Sequence, residues 1–317
     1  MNSIETVLLA VVKIAIVVSI SGFLVRKRVV AIETIRPLSS LVVTFFLPSL
    51  ILSNILEKFD TSESTDWWYM PLSGLGLCAI GLVVALVGPP KVLKERRELI
   101  PASFLQNAAF LVLPLAQSLL SDSDFDTFSL TVFLFLVGYN PMLWLFGKHF
   151  MRPRESDERF AWKNVLSTPL VSCLSAIFLV LTGIRNFIPD LAIETLSFVG
   201  GATVPVATFI LGATLGGMKI DFRKYWKDTL FVSFKKLIVV PAIALLLMTL
   251  IPWTYSTPLI SLLLILQASS PPATSLAIQC QAYGGNTERI ASILLGSYIL
   301  CIFTIPMWIL IMQKILN

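Results

Sequence analysis

Gln106 and Asn107 sit side by side in SFLQNAAF, and Gln267, Ser269, Ser270 and Thr274 sit in LILQASSPPATS, each set inside a long run of apolar residues. Amides and hydroxyls in such surroundings have little local to bind; Asn107 alone brings two donors and an acceptor on a short side chain. The ligand they suit is a polar or anionic group, a carboxylate above all, and the chemistry is recognition. Bond breaking has no machinery here. Hydrolysis within a membrane needs paired carboxylates, a metal cluster or a serine–histidine couple, and the sole histidine, His149, falls at a predicted helix end. Cys78, Cys173, Cys280 and Cys301 lie within apolar runs without metal-ligand spacing, so no metal, disulfide framework or cofactor is expected.

Prolines decide how these residues are held. Pro271 and Pro272 remove two consecutive backbone donors and disfavour helix at Ser270, so this run is expected to unwind around Ser270. Pro114, seven positions beyond Asn107, marks the other run as irregular. Unwound backbone at membrane depth survives only beside protein or a water-filled cavity. The half-helix N-termini that such breaks create carry unpaired N–H groups and roughly half a positive charge, a receptor for a carboxylate. Pro48 in FLPSL and Pro205 in TVPVA are further candidate kinks or hinges.

The elements that must position these residues are membrane helices. Apolar residues make up 56% of the 317-residue chain and charged ones 14%, with a mean hydropathy of +0.83, too little polar side chain to clothe a soluble globule. Runs of about 20 apolar residues span the hydrocarbon core as helices. Ten are read, at 5–25, 37–56, 69–90, 99–120, 127–147, 164–184, 191–217, 229–251, 257–283 and 290–312. The first has no basic segment before it and reads as a retained span, not a cleaved leader. Alternating strand patterns are absent, which speaks against a barrel.

The ten runs fall into two sets of five. Gly22 answers Gly183, Pro48 answers Pro205, Gln106 answers Gln267, Pro89 answers Pro252 and Pro141-Met142 answers Pro306-Met307, at offsets of 157 to 165 residues. Five is an odd number of crossings, so the second set is expected to sit upside down relative to the first, the plan of many secondary transporters. The expected fold is all-α, with residues 1–150 as one repeat, 151–163 as a cytoplasmic linker and 164–317 as the inverted repeat. Basic residues cluster at alternate junctions, such as Arg26, Lys27, Arg28 and Arg36, or Lys219, Arg223, Lys224 and Lys227, while EKFDTSESTD and SDSDFD occupy the opposite side. The positive-inside rule then places both termini outside the cytoplasm. The net charge of +5 is a topology signal and implies no nucleic-acid partner. The cell membrane and the endoplasmic reticulum both suit these loops.

Lys13 reads as the one clearly intramembrane charge, about 12 Å below the outer end of the first span at 1.5 Å per residue. It is expected to face a partner or a cavity, either as a counter-charge for an anion or as a structural lysine bonded to carbonyls. No acidic residue falls at the middle of a span. Carboxylates that commonly carry a coupling ion are therefore missing, and movement of an anion driven by the membrane potential is the simpler expectation.

Several segments together resemble the auxin efflux carrier family. They are NAAFLVLPLA (107–116), STPLVSCLSAIFLVLTG (167–183), GGATVPVATFILGATL (200–215) and SSPPATSLAIQCQAYGGNTERIASILLGSY (269–298). VVKIAIV (11–17), FLPSLILSNI (46–55) and WWYMPL (67–72) give the chain the flavour of its PIN-LIKES branch. The resemblance implies ten helices with broken, crossing helices 4 and 9, a scaffold of spans 1, 2, 6 and 7, and a mobile unit of spans 3–5 and 8–10. It implies transport of organic anions, auxin-like or dicarboxylate, with Asn107 at the substrate carboxylate. Where the plant PIN branch opens span six with Asn-Pro-Asn, this chain has Thr168-Pro169-Leu170, which makes Thr168 a candidate and auxin itself a less secure substrate.

The expected substrate-binding set is therefore Lys13, Gln106, Asn107, Thr168, Gln267, Ser269, Ser270 and Thr274, with Pro48, Pro114, Pro205, Pro271 and Pro272 as crossover or hinge positions. The expected partners are a small organic carboxylate, the lipid bilayer and a second copy in a homodimer. A sodium- or proton-coupled symporter and a non-transporting receptor remain the alternatives.

Overall fold

The computed structural model describes residues 4–59, 67–151, 167–251 and 257–316. In chain order its main helices, the short Pro90–Glu95 and the 3₁₀ turn Ile184–Phe187 aside, are α1 (Ile4–Arg26), α2 (Ile32–Lys58), α3 (Tyr69–Leu86), the split pair α4a (Leu99–Ala102) and α4b (Val112–Leu119), α5 (Asp122–Met151) and α6 (Thr168–Leu181). Then follow α7 (Asp190–Gly217), α8 (Phe222–Leu250), a second split pair α9a (Pro258–Ser269) and α9b (Ser275–Tyr283), and α10 (Thr287–Leu316). Seven of them (α1, α2, α3, α5, α7, α8 and α10) are long and apolar enough to cross a membrane, and α6 and α9a are shorter apolar helices. Two of the ten expected spans are thus broken, the fourth and the ninth. Among the described residues there is no strand, only one isolated antiparallel bridge between Gln106 and Pro272. The expected linker, apart from Met151, and Pro252 lie outside the described residues.

The outer surface is what lipid requires. Phe187 and Phe198 are 86% and 87% exposed, and Leu9, Ile16, Ile20 and Phe23 form an exposed apolar face along α1. Such area facing water would be prohibitive, whereas facing acyl chains it costs nothing. The interior is built around α5 and α9a, where Phe128, Phe133, Phe135, Leu263, Ile265 and Leu266 are wholly buried.

Glycine sets the closest approaches, as is usual where apolar driving force between helices is absent. A Cβ on Gly216 of α7 would lie 2.3 Å from the Gly22 carbonyl oxygen of α1, and one on Gly138 of α5 would lie 2.0 Å from that of Pro71 in α3. The α1–α7, α2–α6 and α2–α7 pairs pack together, as do α3–α5 and α8–α10.

Prolines shape the long helices without cutting all of them. In α2 a π-helical turn, Val42–Phe46, precedes Pro48, and in α8 another, Lys235–Val239, precedes Pro241. A proline cannot bond to the carbonyl four residues back, and a widened turn absorbs the mismatch. Pro205 follows a turn at Gly201 and Ala202 that interrupts α7, while α5 and α10 run through Pro141 and Pro306.

Candidate functional site

The two breaks meet. Asn107 donates its backbone N–H to Pro271 O at 2.9 Å, and Ala273 donates to Leu105 O at 2.9 Å. Each break frees backbone groups that apolar surroundings cannot satisfy, and here they satisfy one another. Side chains complete the pairing. Tyr139 Oη donates to Gln106 O, and Gln267 Nε2 donates to Ala108 O at 2.9 Å. Pro271 and Pro272 have no N–H to lose, so the second break leaves few orphans.

The helix ends at the breaks are capped from their own sequence. Asn107 Oδ1 accepts from Phe110 N at 3.0 Å, starting the turn into α4b, and Asn107 Nδ2 donates to Tyr298 Oη at 2.6 Å. At the end of α9a, Ser269 Oγ donates to Ile265 O and Ser270 Oγ to Leu266 O, each at 2.7 Å. Lys236 Nζ donates to Ala268 O at 2.7 Å, its side chain wholly buried. The neighbouring Lys235 Nζ donates to Ala85 O at 2.8 Å, at the end of α3. The π-helical turn of α8 thus aims two consecutive lysines at two different helix C-termini, whose partial negative charge suits an ammonium.

Beside the breaks lies a cavity of about 340 Å³, walled by α2, α5, α7, the start of α6 and both broken segments. Its floor is Gln106, Asn107, Thr274 and Ser275; its polar wall includes Ser39, Thr44, Asn140 and Thr214; its apolar wall includes Phe110, Leu136, Trp144 and Ile278. Among the described residues, Arg36, exposed on α2, is the only charged one lining it. The N-terminal residues of α9b and those leading into α4b face it, so both positive helix ends turn toward it. Gln106 is 1% exposed, yet both its Oε1 and Nε2 lack a partner, as do Ser167 Oγ and Ser275 Oγ in the same wall. Buried polar atoms left unpaired cost about 1–3 kcal/mol each, and here they surround a space that a ligand or water can fill.

A second cavity, also about 340 Å³, is lined by α1, α4b, α7 and α10 and is apolar apart from Ser19, Arg26 and Tyr298. The Asn107–Tyr298 hydrogen bond joins a residue of the first cavity to one of the second. Toward the basic ends of the helices, Arg289 pairs with Glu98 and Asp228, and Arg96 with Asp228. This cluster ties the starts of α4a, α8 and α10 together.

Of the expected site residues, the structure brings Gln106, Asn107 and Thr274 to one cavity and sets Pro271 and Pro272 in the bridge between the breaks. Gln267 braces the first break from behind, and Ser269 and Ser270, at most 1% exposed, spend their hydroxyls on their own helix. Pro114 is the third residue of α4b, within the first turn where a missing N–H costs little, and the break itself lies before it, at 103–111. Thr168 is exposed; its neighbours Ser167 and Pro169 line the cavity and it does not. Lys13 is exposed on α1 and lines neither cavity.

One expectation is corrected outright: Lys13 is not the one intramembrane charge, because Lys235 and Lys236 are buried within α8. Burying an ammonium at the centre of a span costs at least about 2.5–3.5 kcal/mol on insertion scales, which the two carbonyl bonds offset. The doublet in VSFKKLIVVP was the signal for them. Arg36, Asn140, Ser275 and Tyr298 also belong to the two cavities, and only their types, polar residues within or beside apolar runs, pointed to them.

A polytopic helical membrane protein whose two broken helices meet beside a polar cavity is built as transporters are built. The model of a family described as membrane transport protein matches residues 6–160 and 151–309 of this chain. The chain belongs to that family, the auxin efflux carrier family. It is also 24% identical over 283 residues to an uncharacterized transporter of Methanocaldococcus jannaschii, covering 87% of this chain and 89% of that protein.

Proposed function

We propose that the protein is a carrier of small organic anions, binding a single carboxylate at the meeting point of the breaks. The observation that carries this reading is the cavity floor. Unpartnered Gln106, the two positive half-helix ends and the rim charge of Arg36 converge there, while Phe110, Leu136 and Trp144 offer an apolar wall. One cationic rim and an apolar flank favour an amphipathic monocarboxylate over a dicarboxylate. The packing of α7 against α1 and α2, of α2 against α6, and of α3–α5 with α8–α10 supports two inverted repeats that move a transport unit against a scaffold in alternating access. Basic ends on the cytoplasmic side put Arg36 at an inward-facing mouth and both termini outside the cytoplasm.

The test is flux in proteoliposomes loaded with an aromatic monocarboxylate such as indole-3-acetate, or with a dicarboxylate. An imposed potential is expected to drive the monocarboxylate toward the positive side without a sodium or proton gradient, at about 2.3 kcal/mol per 100 mV for each charge moved. Flux that stays at background until a cation gradient is applied replaces this reading with symport. Saturable binding without flux replaces it with a receptor.

A further inference from the structure

The end of α9a is capped by three side chains. Its last carbonyls are taken by Ser269, Ser270 and the ammonium of Lys236, and the side-chain Oε1 of Gln267, one residue before Ala268, is buried without a partner. Lys236 stands at the midpoint of the 29-residue α8 and is 0% exposed. Among the described residues no carboxylate pairs with it. Carbonyls at a half-helix C-terminus with a spare amide oxygen beside them are what a small monovalent cation binds in broken-helix transporters. Here the cation is part of the chain.

We infer that the end of α9a is a monovalent-cation site held permanently by the Lys236 ammonium, so that the crossover is set without sodium or any other free ion. The tether keeps the second break in the register in which Ala273 donates to Leu105 O and Pro271 O accepts from Asn107. The structural part of this inference stands on the bonds to α9a alone; its consequence for coupling rests on the carrier reading above.

The experiment compares wild type, Lys236→Ala and Lys236→Met in buffers of choline, sodium or methylammonium, reading thermal melting, amide exchange at Asn107 and Ala273, and anion flux. Wild type is expected to melt and transport identically in all three buffers. Lys236→Ala opens a space of ammonium size: in choline it is expected to melt earlier, exchange both amides faster and lose flux by about ten- to 150-fold. Sodium or methylammonium is expected to restore it in part. Lys236→Met fills the space without charge and is expected to be defective in every buffer, with no rescue. A wild type that sodium stabilises saturably, a Lys236→Ala protein indifferent to all three cations, or a Lys236→Met protein with normal exchange each overturns the inference. Melting and exchange need no substrate, so a wild type that moves no anion refutes the carrier reading and leaves these arms to decide the tether.

Discussion

The two breaks occupy equivalent places in the chain and are made by different means. The first spans residues 103–111, contains no proline, and is turned by a side chain, the Asn107 amide that accepts from Phe110 N. The second is shorter, residues 270–274, and is enforced by Pro271 and Pro272. Their helices differ as well. α4a has four residues and its end is met by the Ser103 hydroxyl on Leu99 O, whereas α9a has twelve and ends on two serines and an ammonium. Three aligned turns develop the full partial charge of a helix end and a single turn does not, which is why only the second break recruits a lysine. The first break thus holds Gln106 and Asn107 toward the cavity and, under the proposed function, is the recognising one, while the second is the braced one on which it leans.

This division can be broken from either side. Replacing both Pro271 and Pro272 with alanine restores two N–H groups and lets helix continue through the brace, so flux is expected to fall to background, with slowed amide exchange over 270–274 as the structural check. Asn107→Leu removes the turn cap, the bond to Tyr298 and a donor to the anion; a roughly ten- to 150-fold loss of flux is expected. A melting shift from the lost cap, worth about 0.5–2 kcal/mol, should accompany it.

Gln106→Leu separates recognition from architecture. Its amide has no protein partner, so the variant is expected to be as stable as wild type or more so, while affinity for the carboxylate falls about tenfold in equilibrium binding. A loss of stability with unchanged affinity would make Gln106 a brace like Gln267. Arg36→Gln acts at the exposed rim, where salt screens the charge; a reduction of a few-fold in affinity at low ionic strength that shrinks above about 0.15 M is expected. Smallest of all, Lys13→Met is expected to leave affinity unchanged, since the side chain lines neither cavity. A weakened affinity there would return Lys13 to the site.

Much of this was legible in one dimension. The apolar runs, their near-repeat and the break of the ninth follow from hydropathy and from the N–H that proline lacks, properties each residue carries wherever it is placed; in the fourth, Pro114 marked the run as irregular but the break lies before it. Gln106, Asn107 and Thr274 were legible because an amide or hydroxyl in an apolar run has to meet something polar. Ser269 and Ser270 were misleading for the same reason: what they meet is their own helix, and back-bonding to i−4 leaves no trace in the sequence.

What the sequence by itself determined is which segments are apolar enough to enter the membrane and that one of them cannot remain helical at Pro271-Pro272. Only the tertiary structure decided which face of each helix looks inward. In water an apolar stripe marks the buried side, but lipid and protein interior are alike apolar, so a helix such as α1 carries no stripe to orient it. That is why Lys13 turned outward and Arg36 onto a cavity, and why Asn107 found Tyr298, 191 residues away. Lys236 reached Ala268 because a widened turn and close packing aimed it there. Each pairing depends on the rotation of one helix against another, which is set by the sum of packing contacts and not by any single residue's type.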